Sequence, residues 1–233
     1  WTEKKVNKNL IEKFKQDYGF GDILSKLIIS RNYDSSEIYG INNKQKLKNI
    51  FKNDKDFQKS SQILIKAINN NENICILGDY DVDGACATSL LVRYFNHINQ
   101  KHFFYIPNRI EDGYGASKKL FQKLILKKPK LIIMVDCGST SNEAIDYLNK
   151  NNIKSIIIDH HEINKPYPRS NSIINPKKES NKKENSLLCA TAITYFFIET
   201  IIQKTKSDFK ISNFLIYVLL ATVCDVMPLR KIN

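Results

Sequence analysis

The sequence predicts an α/β fold, a doubly wound and mainly parallel sheet with helices on both faces, preceded by a helical N-terminal segment. Short apolar runs alternate with helical stretches of roughly 10–15 residues from Asn73 onward, the rhythm of βα units. The strongest of these runs, Leu131–Val135, is apolar at every position, as a strand covered on both faces must be. Before residue 70 the apolar residues recur at helical spacing instead. These patterns divide the chain into a helical lead-in, 1–70, packed on a core domain, 71–233.

In the lead-in, Val6, Leu10, Ile11 and Phe14 mark one helix, and Leu24, Leu27 and Ile28 another. Phe57, Leu64, Ile65 and Ile68 mark a longer helix that closes at the turn Asn69–Asn71. Strands then follow at 73–77, 102–106, 131–135 and 153–158, with a short one at 172–174. The helices between them fall at 85–95, 116–126 and 142–149. A polar loop over 166–185 surrounds the short strand, and two apolar helices close the chain near 187–202 and 211–224.

With 233 residues, of which 42% are hydrophobic, the chain has material for one large domain or one and a half, and global disorder is excluded. No stretch approaches the ~18 continuous apolar residues of a membrane helix, and the N-terminus has no secretory h-region. A cytoplasmic location without membrane association is expected. The chain begins without Met and ends just past an apolar segment, so both ends are expected to be cut from something longer. The five cysteines are odd in number, widely spaced and without a CxxC pair, which favours buried reduced thiols over zinc or disulfides. The net charge of +12 is diffuse, +5 over residues 1–60 and +7 over the rest. A phosphate-rich partner and a solvated lysine surface fit it almost equally.

In a doubly wound sheet, ligands bind outside the carboxyl ends of the strands. The first strand runs into Gly78-Asp79-Tyr80-Asp81-Val82-Asp83-Gly84, and the second into Pro107-Asn108-Arg109 with Gly113-Tyr114-Gly115 beyond. The third ends at Asp136-Cys137-Gly138 and the fourth at Asp159-His160-His161-Glu162. Acidic and imidazole groups thus converge on one rim from three strands, and an arginine from another. Asp79, Asp81 and Asp83 repel one another unless a cation lies among them. Two divalent ions suit five or six such groups better than one, and oxygen with imidazole suits Mn²⁺ or Mg²⁺. Two ions ~3.5–4 Å apart are the apparatus of phosphoester hydrolysis.

Blander readings compete. Asp-x-Asp-x-Asp-Gly also opens an EF-hand, but the required Glu is missing, since residue 90 is Leu, and a strand precedes the motif. Asp136 alone would serve as a helix cap, Gly113-Tyr114-Gly115 alone as a turn, and His97 and His102 as surface or packing residues. No GxxxxGK[ST] phosphate loop occurs, which argues against an ATP-driven motor.

These ordered motifs resemble those of the DHH phosphoesterase superfamily, and Asp225-Val226-Met227-Pro228-Leu229 resembles its later aspartate motif. The spelling is most similar to the RecJ branch of single-strand-specific 5′→3′ DNA exonucleases. Trp1, Ile29–Arg31 and the helix into Asn73 resemble that branch's lead-in. The resemblance implies that Asp79, Asp81, Asp83, Asp136, His160 and Asp225 hold two Mn²⁺ or Mg²⁺ ions, with Asp136 bridging and Asp79 either a ligand or directly behind one. It implies that His161 and Arg109 contact substrate phosphate and that Asp159 orients the histidines. Water would attack directly, without a covalent enzyme intermediate. The implied substrate is single-stranded DNA with a 5′ end, in repair and recombination, with a single-strand-binding protein and a helicase as partners.

The resemblance also implies a second lobe (DHHA1) and an OB-fold, neither spelled in these residues, and therefore weak activity of this chain alone. Residues Leu188–Thr194 depart from the branch's Gly-rich spelling, at a place expected to alter helix packing and remove no ligand. Two alternatives share the motifs: a hydrolase of short oligonucleotides or cyclic dinucleotides, and an inactive scaffold of the same fold.

Overall fold

The computed structural model describes residues 2, 4–43, 47–113, 115–178, 185–231 and 233, without the side chains of Asn42 and Asn185. The chain divides into two compact units, one of Trp1–Lys48 with Leu229–Ile232, the other of Asn49–Pro228 with Asn233.

The first unit holds α1 (Lys8–Tyr18), α2 (Asp22–Ser30) and α3 (Ser35–Asn42). Helix α1 starts on the Asn7 side chain and stops at Gly19, whose φ of 68° is the left-handed conformation that ends helices. Helix α3, short and weakly patterned, rests on a capping box in which Asp34 and Glu37 satisfy each other's backbone amides. Phe20, Ile28 and Ile38 form this unit's small core. The segment after Leu229 is tied in by Arg230, which grips the buried Glu37 carboxylate through Nε at 2.6 Å and Nη2 at 2.7 Å. Its guanidinium also covers the Tyr33 ring.

The second unit begins with α4 (Lys55–Asn69), capped by Asp54. Five strands follow: β1 (Ile74–Leu77), β2 (His102–Tyr105), β3 (Leu131–Val135), β4 (Lys154–Ile158) and β5 (Ser172–Ile174). They form one parallel sheet in the order β2-β1-β3-β4-β5. Between and after them come α5 (Val82–His97), α6 (Lys118–Leu124), α7 (Asn142–Lys150), α8 (Ala190–Thr205) and α9 (Leu215–Cys224). Alternation along the strands sends Cys75, Leu77, Ile132, Met134 and Ile157 to the face covered by α6 and α7. The intervening residues, such as Ile76, Ile133 and Ile156, are fully buried on the other face, where α5 and α8 pack.

The expected doubly wound architecture is therefore present, with differences at element ends. Helix α5 starts at Val82 rather than Ala85, because Asp81 caps it and draws the acidic loop into its first turn. The helix expected over 116–126 ends at Leu124 and tightens into a 3₁₀ turn, Ile125–Lys127. The last two helices start later than expected, each after a 3₁₀ turn, at 185–187 and 211–214. Four cysteines are buried, whereas Cys224, in the last turn of α9, is exposed. Among the described residues no helix is long and apolar enough to cross a membrane.

The order places a topological switch between β1 and β3, since the chain leaves β1 for one neighbour and returns to build on the other side. The loops after β1 and β3 thus flank a crevice at the carboxyl edge.

Candidate metal centre

After β1 the chain turns back over its own next helix. A Cβ on Gly84 would lie 2.6 Å from both the N and O of Asp79, so the first turn of α5 can sit on the Asp79 backbone only with glycine there. This close approach sets Asp79 against the first turn of the helix that Asp81 caps. Asp79 Oδ1 accepts the Tyr80 amide at 2.8 Å, and Asp81 Oδ1 accepts the Gly84 amide at 2.9 Å as N-cap. Asp83, in the first turn, accepts the amides of Ala190 and Thr191 on its two oxygens, each at 2.7 Å. Those amides open α8, where the unpaired N–H groups and the helix dipole favour a negative charge. The contacts use backbone N–H groups, so the departure in side-chain spelling over Leu188–Thr194 leaves the anchor of Asp83 in place.

After β3 the backbone turns left-handed at Asp136, with φ 61°, a conformation that aspartate tolerates better than most residues. Its amide still bonds Ile158 O at 2.9 Å, so the sheet ladder itself pins the residue. Asp136 is 1% exposed, and among the described residues neither carboxylate oxygen has a hydrogen-bond donor. Burial first, and then the charges of Asp83 and Asp81, push its carboxyl well above the usual carboxylate range. His160, at the end of β4, has both ring nitrogens buried and, among the described residues, without a hydrogen-bond partner. Its Nε2 lies 3.2 Å from Asp136 Oδ1, 3.5 Å from Asp225 Oδ2 and 3.6 Å from Asp83 Oδ2.

Asp159 behaves differently from its acidic neighbours. Burial pushes its carboxyl up, but the hydrogen bond from the His161 ring and the His161 charge, with further bonds from Ser139 and the His161 backbone, outweigh that and hold it below the usual range. The His161 Nδ1 to Asp159 Oδ1 distance is 2.8 Å, and the same bond raises the imidazole's pKa. With Nδ1 turned to Asp159, Nε2 is the nitrogen left for the site.

Three overlapping groups result, each able to direct one ligand atom per residue to within 4.8 Å of the others. They are Asp79, Asp81 and Asp136; Asp136, His160 and His161; and Asp83, His160 and Asp225. Asp136 and His160 are shared between groups. Buried carboxylate oxygens and imidazole nitrogens with no donors, crowded by like charge, are costly unless a cation lies among them. The donor set, oxygens with imidazole and no thiolate, fits Mn²⁺ or Mg²⁺.

The structure thus gathers Asp79, Asp81, Asp83, Asp136, His160, His161 and Asp225, with Asp159 behind His161. Arg109 is not among these groups; it is exposed, with its guanidinium 5.3 Å from the centroid of the Tyr80 ring. Tyr114 and Trp1 lie outside the described residues. Sequence reasoning missed Asn175, at the end of β5, which donates to Ser139 Oγ at 2.8 Å and His161 O at 2.9 Å. It also missed the amide pair of α8. Asn175 had one signal available, its position at the same strand edge as the other site residues.

Comparison with known proteins identifies the family and the fold. The family model described as DHH family, N-terminal domain, matches residues 73–222. The single-stranded-DNA-specific exonuclease RecJ of Dickeya dadantii (strain 3937) is 28% identical over 183 residues, 74% of this chain and 32% of that protein. The chain therefore spans about a third of the length of such curated relatives. The crystal structure of an exonuclease RecJ bound to manganese superposes with a TM-score of 0.70 at 25% identity, covering 77% of this chain and 45% of that one. RecJ from Thermus thermophilus, in complex with Mn²⁺, shares the fold over 98% of this chain and 32% of its own, with a TM-score of 0.76 and 19% identity. With that model matched over residues 73–222, from the strand that opens at Ile74 into the last helix, this chain belongs to the DHH family.

Proposed function

We propose that this chain carries the two-cation centre of a phosphodiester hydrolase that shortens single-stranded DNA from its 5′ end. The observation that carries this reading is Asp136, a buried carboxylate with no donor on either oxygen, shared between two ligand groups. Asp79, Asp81 and Asp136 would hold one ion, and Asp83, His160 and Asp225 the other, with Asp136 reaching both. Two Mn²⁺ or Mg²⁺ ions bound there supply Lewis-acid stabilisation of phosphate oxygens and make water nucleophilic at neutral pH.

The remaining work falls to the chain's own side chains. Asp83 is fixed by two amides, so its lone pairs point in one direction before any ligand arrives. Asp159 holds the His161 ring by Nδ1 and favours its protonated form, so Nε2 can hold a proton beside the leaving oxygen. Arg109 offers a planar fork to a phosphate, and its seat on Tyr80 limits the freedom it must lose on binding. Roles in repair and recombination, a cytoplasmic location, and a single-strand-binding protein and a helicase as partners belong to this proposal through the likeness to RecJ.

The test is Mn²⁺-dependent release of mononucleotides from 5′-phosphorylated single-stranded DNA, compared with Asp136→Asn, which tolerates the left-handed backbone. Activity is expected to be weak in this chain, stronger in one extended by a second lobe, and lost in both when Asn replaces Asp136. Cleavage confined to di- to tetranucleotides by the extended chain would instead favour an oligonucleotide hydrolase. A chain that binds no metal and cuts nothing would be a scaffold.

A further inference from the structure

Resting on that reading, we propose that Ile110 is the contact for the base of the nucleotide whose phosphate Arg109 holds, and so a determinant of preference for unpaired DNA. Single exposed apolar residues are ordinary on protein surfaces; Ile110 differs in where its loop puts it. It is 94% exposed. Yet the loop beneath it is tightly built. Asp112, with a side chain 1% exposed, accepts Tyr105 Oη at 2.6 Å, Lys123 Nζ at 2.6 Å and the Asn108 amide at 3.1 Å. Lys123 first, then Tyr105, lower its carboxyl to about 2, so this anchor stays ionised at neutral pH. Asn108 closes the turn from the other side, its O accepting the Asp112 amide at 2.8 Å and its Oδ1 accepting the Ile110 amide at 2.9 Å.

The loop therefore presents Arg109 and Ile110 together from a fixed stage at the carboxyl edge of β2. The Arg109 guanidinium lies over the ring of Tyr80, which stands in sequence between Asp79 and Asp81, two members of one ligand group. Adjacent Cα atoms are about 3.8 Å apart, and a nucleotide's base and phosphate are separated by one sugar. A phosphate on Arg109 would carry its own base one sugar away, and Ile110 is the exposed apolar side chain next in sequence. An aliphatic side chain can cover a base face only when that face is not stacked in a duplex, which gives the contact its selectivity.

The experiment measures Mn²⁺-dependent binding of two 5′-phosphorylated tetranucleotides with a non-hydrolysable first linkage, one all-thymidine and one abasic at the 5′ nucleotide. For the wild-type chain the abasic probe is expected to bind roughly fivefold to tenfold more weakly, the effect of losing one aliphatic contact. In Ile110→Ala that difference should fall below about twofold, and in Ile110→Trp it should grow, since a larger face stacks better. Leu126→Ala, a control at another exposed apolar residue, should keep the wild-type ratio. An unchanged ratio in both Ile110 variants would overturn the proposal and leave the nuclease reading intact. Failure of the wild type to bind either probe would overturn that reading, and this inference with it.

Discussion

At Asp136 a left-handed backbone and a buried carboxylate without donors occur in one residue, a combination that costs stability unless something else is bound. Asp136→Asn keeps the backbone and removes the charge. The metal-free variant should melt higher than the wild type, by an amount equivalent to roughly 1–3 kcal/mol, and should gain less from Mn²⁺ than the wild type does. Thermal melts with and without Mn²⁺ check both halves. Asp159 makes the complementary case, because it belongs to none of the ligand groups and bonds the ring of His161 from behind. Asp159→Asn should keep the Mn²⁺ stoichiometry and lower turnover about 10–100-fold, as a lost orienting partner does. Mn²⁺ titration together with nucleotide release tells these apart. At this scale the sequence was most legible where the residues that the structure gathers sit in consecutive motifs, as in Asp79–Asp83 and Asp159–His161. Asn175 was not legible, because its partners Ser139 and His161 meet it only through folding.

Among the elements, the strands could be read from their apolar runs, and the helices of the second unit from their spacing. Their contacts could not. The amides of α8 that hold Asp83 leave no trace in residue type, since any residue but proline carries an N–H. The packing of α5 on Asp79 left one trace, the Gly84 that ends the acidic motif, and the fold supplies its reason. Gly84→Ala should destabilise the fold by roughly 1–3 kcal/mol in urea unfolding, because the colliding atoms are backbone and cannot swing away. In the first unit, the guanidinium of Arg230, then the amides of Asp34 and Lys231, lower the Glu37 carboxyl to about 2 against the opposing effect of burial. A depressed carboxyl contributes stability above its unfolded value of about 4.3, and that contribution is lost as the pH falls toward 2. Arg230→Ala should therefore be less stable than the wild type at pH 6, with the difference shrinking below pH 4. Melting curves across that range check the sign.

For the molecule as a whole, the sheet order explains why residues from distant parts of the sequence meet. Parallel strands end at one edge, and the switch between β1 and β3 opens the crevice into which Asp79–Asp83 and Asp136 are delivered. The net charge of +12 is spread along the sequence and adds long-range attraction for a polyanion without choosing one. On the reading proposed above, choice of substrate rests on the rim. The central claim, that this rim holds two divalent cations around a shared Asp136, is tested most directly by counting ions. Mn²⁺ titration of the wild-type chain, followed by electron paramagnetic resonance of free Mn²⁺, should give two ions per chain, and Asp136→Asn should weaken both. A chain that binds no Mn²⁺, or binds it equally well with Asn at position 136, would contradict the account.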